Sequence, residues 1–304
     1  RRQDPRYLAL LEGDRLSARA AEAEAALRDC HLCGNDCRID RTEQLGPCRI
    51  GDTAYVASSG PHHGEEDVLR GRYGSGTIFF SGCNLHCVYC QNADISQQRA
   101  GTPVSPQDLA SVMLDLQNRR CHNINLVSPS HVVPMIVKAL THAIRGGLHI
   151  PVVYNTGGYD ALQALHLMED LADIYMPDMK YSDPSIGRAL SKVPDYAEVN
   201  RRAVKEMHRQ VGDLKTGAEG LAYRGLLVRH LVLPGRLAGT QEIAAFLAQE
   251  ISEDTYANIM AQYRPSYRAH ACATEAMPID RPVSRQEYRE ALRMAREAGL
   301  HRLA

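Results

Sequence analysis

The 304-residue sequence has no apolar run long enough to cross a bilayer, which excludes a membrane-spanning helix. It also lacks an excess of charge of either sign. With 35 Lys and Arg against 36 Asp and Glu, the formal net charge is −1, so no global attraction to nucleic acid or to an anionic membrane follows. A secretory leader is not visible, because residues 1–16 (RRQDPRYLALLEGDRL) are charged and helix-prone. The first residue is Arg1 rather than Met, which leaves a removed leader open. Internal repeats and low-complexity tracts are missing too. What is present, 44% hydrophobic and 23% charged residues, suits an ordinary globular chain. Its length suits about two domains, or one large α/β domain with an appendage.

Cysteine is the residue that stands out. There are nine, an odd number, and seven of them fall into two tight groups. Gaps of two and three residues suit metal ligation better than a disulfide framework. That usage belongs to a reducing compartment, and the cytoplasm is the expected location.

Along the chain, residues 5–28 read as one or two helices, broken near Gly13 and Asp14. An irregular stretch follows, from Cys30 to about Gly74. Short apolar runs then predict strands at 77–82, 124–129, 151–156, 173–178, 226–234 and 258–263. Amphipathic stretches at 105–120, 131–147 and 240–251 alternate with them, and residues 212–225 read as a mobile loop. Repeated β–α alternation implies a parallel sheet with helices outside it. Six units without a clear seventh or eighth suggest an incomplete (β/α)6 barrel of partial TIM type, open at the side to a bulky substrate. The expected division is an N-terminal extension over residues 1–74, the partial barrel over 75–270 and a helical tail over 271–304. In the tail, Ser284 and Glu287 form a capping box.

The chemistry-bearing motif directly follows the first of these strands: Gly82-Cys83-Asn84-Leu85-His86-Cys87-Val88-Tyr89-Cys90-Gln91-Asn92. Iron–sulfur clusters prefer thiolate ligands, and a four-iron cluster normally takes four. Cys83, Cys87 and Cys90 supply three, leaving one iron open to a substrate. Three buried thiols on one helix face, or a zinc site completed by His86, are the competing readings.

This motif resembles the signature of the radical S-adenosylmethionine (SAM) superfamily. More narrowly, the chain resembles a branch related to pyruvate formate-lyase activating enzyme, through residues 30 to 268. The segments carrying that likeness include HLCGNDCRIDR, FFSGCNLHCVYCQN, INLVSPSHVVP, VVYNTGGYD, DIYMPDMKY and RGLLVRHLVLPG. The resemblance implies a [4Fe-4S] cluster on Cys83, Cys87 and Cys90, with SAM on the open iron through its amino and carboxylate groups. It implies reductive cleavage to a 5′-deoxyadenosyl radical that abstracts hydrogen from a substrate, with a reductant such as flavodoxin or ferredoxin as partner.

The same resemblance assigns cofactor contacts at strand ends. Tyr89 is expected against the adenine. Ser128 or Ser130 stands where many members carry a Gly-Gly-Glu run for the SAM amino group. Thr156, Met176 and Asp178 match positions that bind a monovalent cation near the SAM carboxylate, with Asn155 replacing an Asp. Lys180 joins this group, although an Asp178–Lys180 ion pair is the plainer reading. Arg229, Val232 and Leu233 match the fifth-strand segment: Arg229 could grip a carboxylate and the two apolar residues could pack on adenine, or serve as core. Gln262-Tyr263-Arg264 stands where activases carry Tyr-His.

The second group, Cys30-x2-Cys33-x3-Cys37-x10-Cys48, precedes the barrel. Four thiolates could hold zinc or a single iron, or an auxiliary iron–sulfur cluster, or remain uncoordinated. Cys121, Cys272, His62, His63 and His131 receive no role. Three readings follow: an enzyme acting on a small molecule or peptide, an activase of a glycyl-radical enzyme, and a metal-binding scaffold without catalysis.

Overall fold

The six apolar runs become six neighbouring parallel strands in a computed structural model that describes residues 4–304. In chain order the strands are β1 (Ala54–His62), β2 (Ser75–Phe80), β3 (Thr102–Val104), β4 (Ile124–Val127) and β5 (Val152–Thr156). They continue with β6 (Ile174–Pro177), β7 (Lys215–Thr216), β8 (Ala222–Leu231), β9 (Tyr256–Met260) and β10 (Arg302–Leu303). The sheet runs β10-β9-β8-β6-β5-β4-β2-β1-β3, and β7 adds to β8. All pairs from β2 through β10 along this path are parallel; β1 and β3 are antiparallel additions beyond β2.

Helices cover the outer face, as parallel strands require. Ile124, Leu126, Val152 and Tyr154 point outward onto the helices Pro106–Asn118 and Val133–Arg145. Val153, Ile174, Met176 and Leu227 point the other way, onto Leu69 from the short helix Asp67–Arg70. That inner face is strongly curved. Laid flat, β4 and β9 would be about 19 Å apart, four strand spacings. Yet the adjacent residues Glu65 and Glu66 reach Asn125 on β4 and Asn258 on β9 respectively, so the sheet curls around a lumen. Both ends of the sheet remain unjoined, which gives an open, parallel-dominated barrel.

Two stretches differ from their sequence reading. Residues 30–74, read as irregular, contain β1, whose Ser58-Ser59-Gly60-Pro61 run lacks apolar alternation. Its place beyond β2, bonded to the sheet on one side along that run, tolerates the proline. Residues 212–225, read as a mobile loop, hold β7 and the start of β8 in a hairpin. The connection from β6 to β8 also carries two helices, Pro184–Ser191 and Tyr196–Val211, the second masked in sequence by its charged outer face.

The tail follows its prediction. Helix Arg285–Glu297 begins with the Ser284–Glu287 capping box, and Glu287 also accepts the Gly235 N–H at 2.8 Å. Replacing Glu287 with Ala removes both bonds and should lower stability by about 1–2 kcal/mol, measured by urea unfolding.

Candidate active site

The cysteine loop begins where β2 ends, at the carboxyl rim of the parallel sheet, which is where β/α barrels carry their chemistry. Gly82 makes the turn with φ +80°, and a Cβ there would lie 2.6 Å from the Cys48 carbonyl oxygen. The loop is then pinned by backbone bonds: His86 N–H to Ser191 O (3.2 Å), Val88 N–H to Leu190 O (2.8 Å) and Arg268 N–H to Val88 O (2.8 Å).

The three thiols share one space, with Cys87 buried and Cys83 and Cys90 partly exposed. Burial pushes the Cys83 thiol up to about 12, and the neighbouring Cys87 and Cys90 add to the effect. Cys87 is raised by burial too, opposed by the ammonium of Lys180 and by a bond to Ser191. Cys83 Sγ accepts the Leu85 N–H at 3.4 Å, Cys87 Sγ lies 3.0 Å from Ser191 Oγ, and Cys90 Sγ lies 3.2 Å from Ser96 Oγ. Such donors suit thiolate sulfur. His86, the residue a zinc site would need, instead bonds Gln97 Oε1 through Nδ1 at 2.9 Å.

Four strand-end residues converge beside these thiols. Asp178, just past β6, accepts from Arg229 Nε at 3.0 Å on one oxygen and from Lys180 Nζ at 2.6 Å on the other. Arg229 Nη2 also donates to Asn155 Oδ1 at 2.8 Å, bridging from β8 to β5 across β6. Burial works against the charged form of Asp178, but Arg229 and Lys180 outweigh it and hold the carboxyl below its usual range. Lys180 is likewise disfavoured by burial, yet Asp178 and Cys87 keep it firmly protonated. Lys180 therefore links the carboxylate to the thiol loop.

Comparison with known sequences places this arrangement. A profile of the Radical SAM superfamily matches residues 77–218. A protein of uncharacterised function from Methanocaldococcus jannaschii is 31% identical over 290 residues, covering 91% of this chain and 77% of that relative. The chain belongs to the radical SAM superfamily. Members normally use a [4Fe-4S] cluster and SAM, and the donor set here fits the cluster. Three thiols on one loop can each bind a different iron, leaving one iron free. Among the described residues no three His, Cys, Asp or Glu side chains lie close enough to form a single-ion site as they stand.

The remaining radical SAM contact candidates are spread over the site. Tyr89 is 6% exposed, bonds the Tyr181 hydroxyl and meets Tyr263 edge-on at 5.6 Å. Ser128 has φ +56° and gives its N–H to Asn155 O at 2.8 Å. Thr156 directs its hydroxyl to Asp160 Oδ2 at 2.6 Å and lies 3.0 Å from Ser130 Oγ. Met176 is buried in the lumen. Val232 packs with the outer core, whereas Leu233 packs with the cluster of Tyr89 and Tyr181.

The N-terminal cysteines form a knuckle docked on this rim. Cys30, Cys33, Cys37 and Cys48 influence one another electrostatically, but like the loop thiols they do not meet around a single ion. Arg41 lies beneath them, 2% exposed. It donates to the carbonyls of Ile50 (3.2 Å), His131 (2.6 Å) and Gly51 (2.7 Å), and its Nη1 is 4.0 Å from Cys30 Sγ. Asn35 Nδ2 donates to the Asn84 carbonyl at 2.8 Å, next to Cys83.

Sequence reasoning missed Asp160. It is buried, accepts from Tyr154 and Thr156, and forms a backbone bridge with Cys33, so it ties the knuckle to the third parallel strand. Its signal was an acid inside the tight Gly-Gly-Tyr-Asp turn. There Gly158 has φ +77°, and a Cβ would lie 2.2 Å from the Asp178 carbonyl oxygen.

Asp178→Asn would leave Arg229 and Lys180, 20% and 17% exposed, without their anion. The expected loss is about 3 kcal/mol by chemical denaturation. Because the folded carboxyl titrates low, its contribution is present above the ordinary carboxylate range and disappears as pH falls. Wild-type stability should therefore decline below about pH 4 more steeply than that of the variant.

Proposed function

We propose that this protein is a radical SAM enzyme acting on a small-molecule or peptide substrate. The observation that carries the reading is the gathering of Cys83, Cys87 and Cys90 at the carboxyl rim, in a loop with no fourth cysteine. Cys83, Cys87 and Cys90 would hold a [4Fe-4S] cluster with SAM on its open iron, and the pair would supply reductive cleavage to a 5′-deoxyadenosyl radical able to abstract hydrogen. The chain's own part is positioning and exclusion of water. Ser191, Ser96 and the Leu85 N–H supply hydrogen-bonding partners to the sulfurs. Lys180 and Arg229 place fixed positive charge where the SAM carboxylate is expected, and Asn155 and Asp178 orient them. In this reading two side-chain cations stand in for the monovalent ion that the activase resemblance suggests. Arg264 follows Tyr263 where activases carry the His of Tyr-His, and the second cysteine group precedes the barrel; both departures favour a substrate other than a glycyl-radical enzyme. Flavodoxin or ferredoxin in the cytoplasm would supply the electron.

We read the knuckle as a second metal centre, holding zinc, a single iron or an auxiliary cluster, around which its four thiols would draw together from their present positions. Its support is charge. Arg41 is a buried cation with no carboxylate within ion-pair distance among the described residues, and thiolates bound to metal would balance it.

Anaerobically reconstituted protein given SAM and dithionite should form 5′-deoxyadenosine, and Cys87→Ser should abolish it; no product from the wild type would sink the reading. Iron and zinc counts on a Cys30→Ser/Cys33→Ser variant should fall by the content of the knuckle alone. Unchanged counts would remove the second centre.

A further inference from the structure

Two carboxyl groups in the lumen lie outside the ion pairs that Asp178 makes with Lys180 and Arg229. Glu65 and Glu66 lie in the loop between β1 and the helix Asp67–Arg70, whose Leu69 plugs the lumen from below. Glu66 Oε1 accepts from Asn258 Nδ2 at 3.2 Å. Glu65 lies against Glu66 and Asn125 and within electrostatic reach of Arg229. The Oε2 atom of each glutamate is buried without a hydrogen-bond partner. Asn125, at 0% exposure, gives its Nδ2 to Ser75 Oγ at 3.2 Å and leaves Oδ1 unpartnered as well. Apart from the contacts that Glu65 makes with Glu66 and Asn125, no donor among the described residues reaches these three buried oxygens, and buried acceptors are rarely left that way.

The charge is also unbalanced. Among the described residues, Glu65, Glu66 and Asp178 face Arg229 and Lys180, and both cations are bonded to Asp178. Fully ionised, the lumen is one positive charge short. Burial, opposed by Arg229 and reinforced by Glu66, pushes Glu65 up to about 7, so a proton held between the two glutamates covers the deficit near neutrality.

We propose that Glu65, Glu66 and Asn125 form a recognition site for a substrate carrying a protonated primary amine. An alkylammonium brings one positive charge and three N–H donors, matching the missing charge and the three free acceptors. Binding transfers the proton held by the glutamates to solvent, so charge is conserved. A divalent metal ion matches less well, since among the described residues no three acidic, His or Cys side chains converge. The site lies on the lumen floor beneath the Arg229 network, and its role as a substrate site rests on the radical SAM reading above.

The test uses reconstituted protein with SAM and propylammonium as probe, with propanol as the uncharged isostere. Calorimetry should show propylammonium binding with proton release, read from two buffers of different ionisation heat, and no binding of propanol. Glu65→Gln and Glu66→Gln should each weaken propylammonium by at least about tenfold. If either substitution prevents folding, proton release by the wild type decides. Equal binding of propanol, binding without proton release, undiminished binding to both variants, or no binding would each overturn the site. Deoxyadenosine formation by the same wild-type sample separates the two ideas: its absence with amine binding intact sinks the enzymatic reading alone, and its presence with no amine binding sinks the site alone.

Discussion

Asp178 lies between two cations from different strands, and the upper rim of the barrel is organised around that single carboxylate. Removing charged groups from water is costly, so a half-buried Arg and Lys persist only with an anion between them. Arg229 reaches over β6 to Asn155, fixing three strand ends relative to one another. Lys180 turns the same charge toward Cys87. Strand ends and thiol loop therefore share one electrostatic unit, and Lys180 carries its positive charge to Cys87.

The knuckle is built into this rim rather than appended to it. Gly34 N–H bonds the Tyr159 carbonyl at 3.3 Å, Cys33 bridges Asp160, and Asn35 holds the Asn84 carbonyl. At Gly82 the two cysteine groups are in direct backbone contact, close enough that only glycine fits. A change in the knuckle thus acts on the loop of Cys83 through a few short bonds.

Much of the fold was legible because buried parallel strands are short apolar runs, and all six appear within a few residues of their predicted bounds. The thiol motif was legible because its chemistry is local. Other features depend on contacts that sequence spacing does not encode. Asn155, Asp178 and Arg229 could be placed at strand ends, but their mutual bonding follows from register between β5, β6 and β8. β1 escaped notice because its Ser-Ser-Gly-Pro run carries turn residues into a strand near the sheet's edge. Glu65 and Glu66 received no role in the sequence reading; only the curling of the sheet turns them into the lumen. In each case the missing information was tertiary.

Cys83, Cys87 and Cys90 would leave one iron of a four-iron cluster open to SAM. Mössbauer spectroscopy of protein reconstituted with iron-57 tests this most directly. The account predicts that adding SAM shifts the signal of a single iron in the cluster while the others keep their thiolate-bound parameters. Spectra that show all irons equivalent and unaffected by SAM would contradict it.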